Sequence, residues 1–233
     1  MPLTTSKGNM YDWCSHTHTH LRGECSHRCA YCYVQAMEKR FGGGHYSGEL
    51  RLHEKEFHVN YGEGNTIFIE NCNDLFAETV PAEWINRILA HCWMYPKNCY
   101  VFQTKNPFRV MRFRDFLPPF RVVGTTIETI DDEVLKNVAP FATGAYDRIY
   151  GIECLKRYLE KVFVTIEPIL KGDLGKLAHE LIRIRPEFVN IGADSKGIGL
   201  PEPSYEEIVK LAQDLQSNGI EVRKKLNLER LMK

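Results

Sequence analysis

Cys25, Cys29 and Cys32 stand within eight residues of one another at the spacing C-x3-C-x2-C. Three sulfurs this close cannot all pair into disulfides, but they can wrap one face of a metal centre. Thiolates are soft ligands that favour iron–sulfur clusters, zinc or copper(I). A cubane cluster takes four cysteines, one per iron, so three would leave one iron open to a small molecule. Zinc asks for four nitrogen or sulfur ligands, which these cysteines with His27 or another histidine would supply. Tyr31 sets an aromatic ring just before the last cysteine, and Tyr33 to Arg40 predicts a helix leading away from the loop.

A second set of ligand-type residues lies upstream. Cys14 is followed by His16, His18 and His20 in strict alternation, which on an extended segment puts the three imidazoles on one face. The sharp reading is a second metal site, and from it a zinc hydrolase. The plain reading is a strand whose His and Thr side chains line a polar cavity. The plain reading is preferred, because no acidic or cysteine partner stands at a recognised zinc spacing. Tyr11 to Cys14 is expected to be the first strand, entering the cysteine loop.

The elements that must position these residues follow in order. Residues 41–64 read as a loop or short hairpin, punctuated by Gly42-Gly43-Gly44 and Gly62-Glu63-Gly64. Strands are predicted at Thr66–Ile69, Tyr100–Gln103, Arg121–Thr126, Phe163–Ile166 and Phe188–Ile191, with a final edge strand at Glu221–Arg223. Helices are predicted from Pro81 to about Met94, over Ile152–Leu159, Leu174–Arg183 and Ser204–Gln216, and a short one follows Pro107. Asp131-Asp132 is read as part of a long irregular link. Strands separated by helices mean βαβ units and a parallel sheet. The fold class is therefore α/β, a partial (βα)6 barrel with the cysteine loop after its first strand. It forms a single domain over 1–233, with 8–24 as first strand and loop entry and 217–233 as edge strand and tail.

In barrel folds the loops at the C-terminal ends of the strands build the active site. Those ends are polar here: the three cysteines, Asn71/Asn73/Asp74, Gln103/Thr104/Lys105, Thr125/Thr126/Glu128, Glu167, and Asp194/Ser195. One polar strand end is ordinary capping, and Asp74 alone could cap a turn. Six in succession converge on one face and predict a catalytic pocket.

Composition narrows the function classes. The 233 residues are 43% hydrophobic, with thirty basic and thirty acidic side chains. That balance removes the global electrostatic footprint expected of a nucleic-acid binder. No apolar run approaches the ~20 residues of a membrane span, and the first residues lack the apolar core of a signal peptide. Eight cysteines without such a signal point to a reducing cytoplasm and ligand chemistry. Cys72, Cys92, Cys99 and Cys154 read as small buried residues.

The motif C-x3-C-x-aromatic-C resembles the signature of the radical SAM superfamily. Further segments are similar to a phage and prokaryotic radical-SAM-like family without assigned function, distantly similar to spore photoproduct lyase: Asn73-Asp74-Leu75-Phe76, Thr104-Lys105-Asn106-Pro107, Gly124-Thr125-Thr126-Ile127-Glu128, Ile166-Glu167-Pro168 and Ile191-Gly192. The resemblance spans Tyr11 to Arg223. It implies a [4Fe-4S] cluster on Cys25, Cys29 and Cys32, and S-adenosyl-L-methionine (SAM) chelating the fourth iron. It further implies reductive cleavage of SAM to a 5′-deoxyadenosyl radical that takes hydrogen from a substrate. By position, Asn71 and Asn73 would reach the methionine end of SAM, and Thr125, Thr126 and Glu128 the ribose. Gly192 would admit the adenine or ribose, and Asp74, Lys105 and Glu167 would face the substrate. Lys105 and Glu167 would either handle a proton or pair with each other. Glu70-Asn71-Cys72-Asn73 departs from the Gly-Gly-Glu that many superfamily members carry. Expected partners are an electron donor such as flavodoxin or ferredoxin and a small-molecule or nucleic-acid-base substrate, with no membrane. The competing class is a non-enzymatic iron–sulfur or zinc module for electron transfer or partner binding.

Overall fold

The computed structural model describes residues 3–232. Its backbone is an eight-stranded sheet in the order β1 (Thr4–Thr5), β2 (His16–His18), β5 (Thr66–Ile69), β6 (Cys99–Thr104), β7 (Arg121–Thr126), β8 (Val162–Ile166), β9 (Phe188–Ile191), β10 (Glu221–Lys224). Every neighbouring pair from β2 to β10 is parallel, and β1 is antiparallel to β2. Parallel neighbours need a crossover. The helices supply it: α1 (Tyr33–Phe41), α2 (Ala82–Trp93), α3 (Pro107–Val110), α4 (Asp132–Val138), α5 (Ala145–Lys156), α6 (Leu174–Ile184) and α7 (Tyr205–Ser217). The sheet curves without closing, leaving β10 and β1 at its edges.

Alternation along the strands builds two cores. Outward side chains such as Ile67, Tyr100, Val123, Val164 and Ile191 are buried with the helices. Inward ones, Phe68, Val101, Phe163 and Phe188, form a separate cluster with Tyr11 and Cys14. Tyr11 to Cys14 is therefore not the first strand. It is a turn closed by Cys14 N–H donating to Tyr11 O at 3.0 Å, and it inserts two aromatic rings into the bore. Tyr11 and Trp13 stack at 5.1 Å, and Trp13 meets Phe163 and Phe188 edge-on at 5.6 and 5.2 Å. Burying the Tyr11 ring and half-burying that of Trp13 at one end of an open bore outweighs adding two residues to a sheet edge. The first strand of the parallel array begins at His16 instead, registered on Ile67. Gly124 is part of this packing, because a Cβ there would lie 2.4 Å from the Phe163 ring.

Two further differences from the sequence reading are local. Residues 41–64 do not fold as a hairpin on themselves: β4 (Arg51–Leu52) pairs back with β3 (Leu21–Arg22) in a two-stranded sheet. The link before β8 holds two helices, with α5 starting at Ala145 rather than Ile152. The other, α4, starts where the Asp131 carboxylate accepts from the N–H groups of Glu133 and Val134 at 3.0 and 3.2 Å, satisfying donors that a helix start leaves free. No described helix is long and apolar enough to cross a membrane.

Candidate active site

The cysteine loop sits over the C-terminal mouth of the bore and is tied down by residues from three strand ends. Gly23 begins it at φ +91°, where any side chain would strike Glu49 O. His27 Nε2 meets Asp74 Oδ2 at 2.8 Å after β5. The same carboxylate accepts from the N–H groups of Lys105 at 2.8 Å and Phe76 at 3.0 Å. Asp74 thus closes its own turn and also joins the loop to β5 and β6. Burial pushes its carboxyl up, but these hydrogen bonds, led by His27, outweigh burial and hold it below the usual range. Ala30 N–H donates to Val138 O at 2.8 Å, and Tyr31 Oη donates to the Glu128 carboxylate. Cys32 is the N-cap residue of α1, so the helix starts directly from the loop.

Cys25, Cys29 and Cys32 line one small cavity, together with Gly23, Arg28 and Cys72. Cys29 is buried and the other two are half-buried. Desolvation pushes the Cys25 thiol up to about 12, so a thiolate there needs a cation beside it. Three sulfurs facing one space are a donor set that fits an iron–sulfur cluster. His27, the nitrogen that a zinc site would recruit, is instead committed to Asp74.

Glu128 follows β7 and is fully buried. Arg148 Nη1, from α5, donates to it at 2.7 Å and also to Thr126 O at 2.9 Å, while Lys105 Nζ approaches to 3.5 Å. Burial would raise the Glu128 pKa, yet Arg148 and then Lys105 bring it down to about 2. Arg148 has no sequence signal of its own, because its partner Glu128 lies twenty residues away on another element. The Lys105 side chain is also set over the Tyr31 ring, 5.6 Å from its centroid. Burial pulls its pKa down, but Cys29 and Glu128 nearby outweigh that and hold it up.

Lys105 and Glu167 do not pair with each other. Glu167, after β8, accepts from Lys225 Nζ at 2.6 Å, Asn9 Nδ2 at 2.7 Å and Asn227 Nδ2 at 2.9 Å. Gly192 stands against it: a Cβ there would lie 2.9 Å from Glu167 Oε1. Thr125 and Thr126 face opposite sides of β7. Thr125 Oγ1 donates to Thr104 O at 2.8 Å, whereas Thr126 Oγ1 accepts from Gln103 Nε2 at 2.7 Å. The latter belongs to a polar layer across the bore, in which Tyr11 Oη contacts Gln103 Oε1 at 2.5 Å and Thr165 Oγ1 at 2.6 Å, and Asn190 Nδ2 donates to Thr165 at 3.1 Å. Asn71 accepts from Thr19 Oγ1 at 2.8 Å and donates to Tyr33 Oη at 3.2 Å, and Asn73 Nδ2 donates to Gly23 O at 3.3 Å. Both asparagines therefore join β5 to the cysteine loop.

Cys14 and the alternating histidines do not gather into a site. Cys14 lies in the aromatic core of the bore, and His16 Nδ1 meets Ser15 Oγ at 2.9 Å. His18 and His20 lie instead with His91 of α2.

A family model described as "Protein of unknown function (DUF5131)" matches residues 9–195. The chain belongs to this family. No curated protein matches the sequence. Among solved structures, a cysteine-to-serine mutant of spore photoproduct lyase is similar at 10% identity with a TM-score of 0.65, over 95% of this chain and 79% of that one. A radical SAM methyltransferase from Sphaerobacter thermophilus is similar at 15% identity and TM-score 0.60, over 94% and 69%. SuiB from Streptococcus suis, bound to its precursor peptide SuiA, is similar at 10% and 0.60, over 89% of this chain but only 48% of its own. All three are radical SAM enzymes, and the DUF5131 chain shares their fold.

Proposed function

We propose that this protein is a radical SAM enzyme, with Cys25, Cys29 and Cys32 holding a [4Fe-4S] cluster and SAM bound at the remaining iron. The observation that carries the reading is the three cysteines around one cavity, at the C-terminal mouth of a partial barrel shared with radical SAM enzymes. When bound and reduced, the cluster supplies the electron that cleaves SAM to methionine and a 5′-deoxyadenosyl radical.

The chain's own residues bind, orient and exclude water. Asp74 holds His27, and Asn71 and Asn73 hold the loop's two ends, so the cysteines keep their positions. Asn71 and Asn73 stand on the side we assign to the methionine moiety of SAM; Thr126, Glu128 and Gly192 stand on the side we assign to its nucleoside, whereas Thr125 turns away from the bore to Thr104 O. Glu128, kept ionised by Arg148, offers a fixed carboxylate, and Lys105 Nζ beside it offers a proton donor at the mouth. Glu167, supplied with a proton donor by Lys225, faces the substrate side. Beneath them the aromatic rings of Tyr11, Trp13, Phe163 and Phe188 pack together in the bore.

The substrate class is a nucleoside or nucleic-acid base, or a small molecule. Likeness to spore photoproduct lyase, one of whose structures holds AdoMet and the dinucleoside spore photoproduct, supports the former. Zero formal net charge supports a small substrate over a long nucleic acid. A flavodoxin or ferredoxin would provide the electron, and the compartment would be the cytoplasm. The test is anaerobic reconstitution with iron and sulfide. Cys29→Ala should abolish both the cluster absorbance and 5′-deoxyadenosine formation; a variant that still produced 5′-deoxyadenosine would overturn the assignment.

A further inference from the structure

Outside the mouth of the bore, between the sheet and α2, His18, His20 and His91 bring one ring nitrogen each to within 4.8 Å of one another. All three are buried. Their outer partners fix where the ring hydrogens lie. His91 Nε2 faces the carbonyl oxygen of Val59 at 3.1 Å, and a carbonyl only accepts, so that nitrogen carries a hydrogen. His20 Nδ1 faces Glu70 Oε1 at 2.7 Å. Glu70 also accepts from the N–H groups of His20 and Leu21 at 2.8 and 3.1 Å, as an ionised carboxylate does, so His20 Nδ1 donates as well.

With one hydrogen per ring, the inner nitrogens His20 Nε2 and His91 Nδ1 are both bare lone pairs, yet they face each other at 2.9 Å. Tyr61 Oη, 3.1 Å from His20 Nε2, carries a single hydrogen and relieves only one of them. His18 Nε2 is buried with no hydrogen-bond partner among the described residues. The buried Glu70 carboxylate has no cationic side chain among its hydrogen-bonding partners other than His20 itself. An arrangement of converging lone pairs beside an uncompensated carboxylate lacks a cation. A shared extra proton would satisfy His20 and His91 but leave His18 idle, whereas a metal ion uses all three.

We propose that His18, His20 and His91 form a structural zinc site, separate from the cysteine loop, with Tyr61 Oη or a water in the fourth position. Imidazole nitrogens suit zinc. The outer bonds are those that metal-bound histidines make to a carboxylate and a backbone carbonyl, which fix the tautomer and aim the free nitrogen. Tetrahedral zinc with Zn–N of ~2.0–2.1 Å sets its nitrogens about 3.3 Å apart, inside the present span of 2.9 to 4.8 Å. The ion would pin β2 to α2 five residues before Cys25, just where the chain enters the cysteine loop.

The test uses the full chain carrying Cys25→Ser, Cys29→Ser and Cys32→Ser, so that the loop cannot hold metal, stripped with a chelator and titrated with zinc or cobalt(II) chloride. Expected are about one metal ion per chain, a raised Tm by binding to the folded state alone, and a cobalt spectrum without a thiolate charge-transfer band. His18→Gln and His91→Gln in this background, shown folded by circular dichroism, should each weaken the metal by at least about 100-fold, beyond the effect of losing an outer partner. Failure of the folded protein to take up zinc, a thiolate band, or unchanged affinity in both histidine variants would overturn the site. None of these readouts involves SAM, so they stand or fall apart from the enzymatic reading.

Discussion

The two ends of the bore are built from opposite materials on the same strands. At the N-terminal end, Phe68, Val101, Phe163 and Phe188 close on Tyr11 and Trp13 in an aromatic cluster. One or two pleats further along, the same strands turn to Gln103, Thr126, Thr165 and Asn190, then to Glu128 and Glu167 at the mouth. The lower end gains stability from area, which is tolerant of detail. The upper end buries charge, which is stable only while every partner is in place. Apolar packing and buried charge are thus separated along a few residues of each strand, and the hydroxyl of Tyr11 marks the boundary.

Mutations should break the two ends in different ways. The largest effect is expected at the upper end, where Arg148→Met leaves Glu128 buried without its main partner. Such a loss costs roughly 3–5 kcal/mol, and denaturant unfolding should show it; a cost below about 1 kcal/mol would mean that water or Lys105 compensates. Trp13→Ala should cost about 3 kcal/mol, at the low end of the range for removing a core tryptophan, because that ring is only half-buried. It should leave the loop's metal binding intact, so loss of cluster uptake by a folded Trp13→Ala protein would show that the ends are not independent. Asp74→Asn keeps the shape but weakens the charge-assisted bond to His27. It should cost about 1.5–3 kcal/mol and speed proteolysis within residues 23–32, with little change elsewhere.

A smaller effect sharpens the contrast through pH. Glu128 is depressed to about 2, below the ordinary ~4.3 of an unfolded glutamate. The folded chain therefore binds fewer protons than the unfolded one between these values. Its contribution is fully present above about pH 4.3 and is lost as pH falls toward 2. In Arg148→Met that acid-dependent loss should shrink, because burial without the guanidinium pushes the carboxyl up. An unchanged slope of stability against pH in the variant would contradict the assignment of Arg148 as its main partner.

How legible this was in the sequence depended on the range of the interaction. The parallel strands were readable because Thr66–Ile69 or Phe163–Ile166 are short apolar runs between helices, and both faces are buried. That Cys25, Cys29 and Cys32 meet at one cavity was readable because they lie within eight residues. The role of Tyr11 and Trp13 was not, because two aromatics at i and i+2 suit a strand face as well as a plug, and only the open bore decides between them. Arg148, nineteen residues or more from each polar strand end of its neighbours, gave no local cue that it would meet Glu128. The histidines misled in a different way: the alternation was real for His18 and His20, but their partner His91 lies on a helix 71 residues beyond His20.

We propose radical SAM chemistry for the cysteine loop at the mouth of this barrel. The most direct measurement is the anaerobically reconstituted, dithionite-reduced protein incubated with SAM, with methionine and 5′-deoxyadenosine quantified alongside iron and sulfide. Iron and sulfide bound as a cluster, with both products formed in equal amounts, are the expected result. Stoichiometric zinc at the three cysteines with no iron taken up, or a full cluster that neither binds nor cleaves SAM, would contradict it.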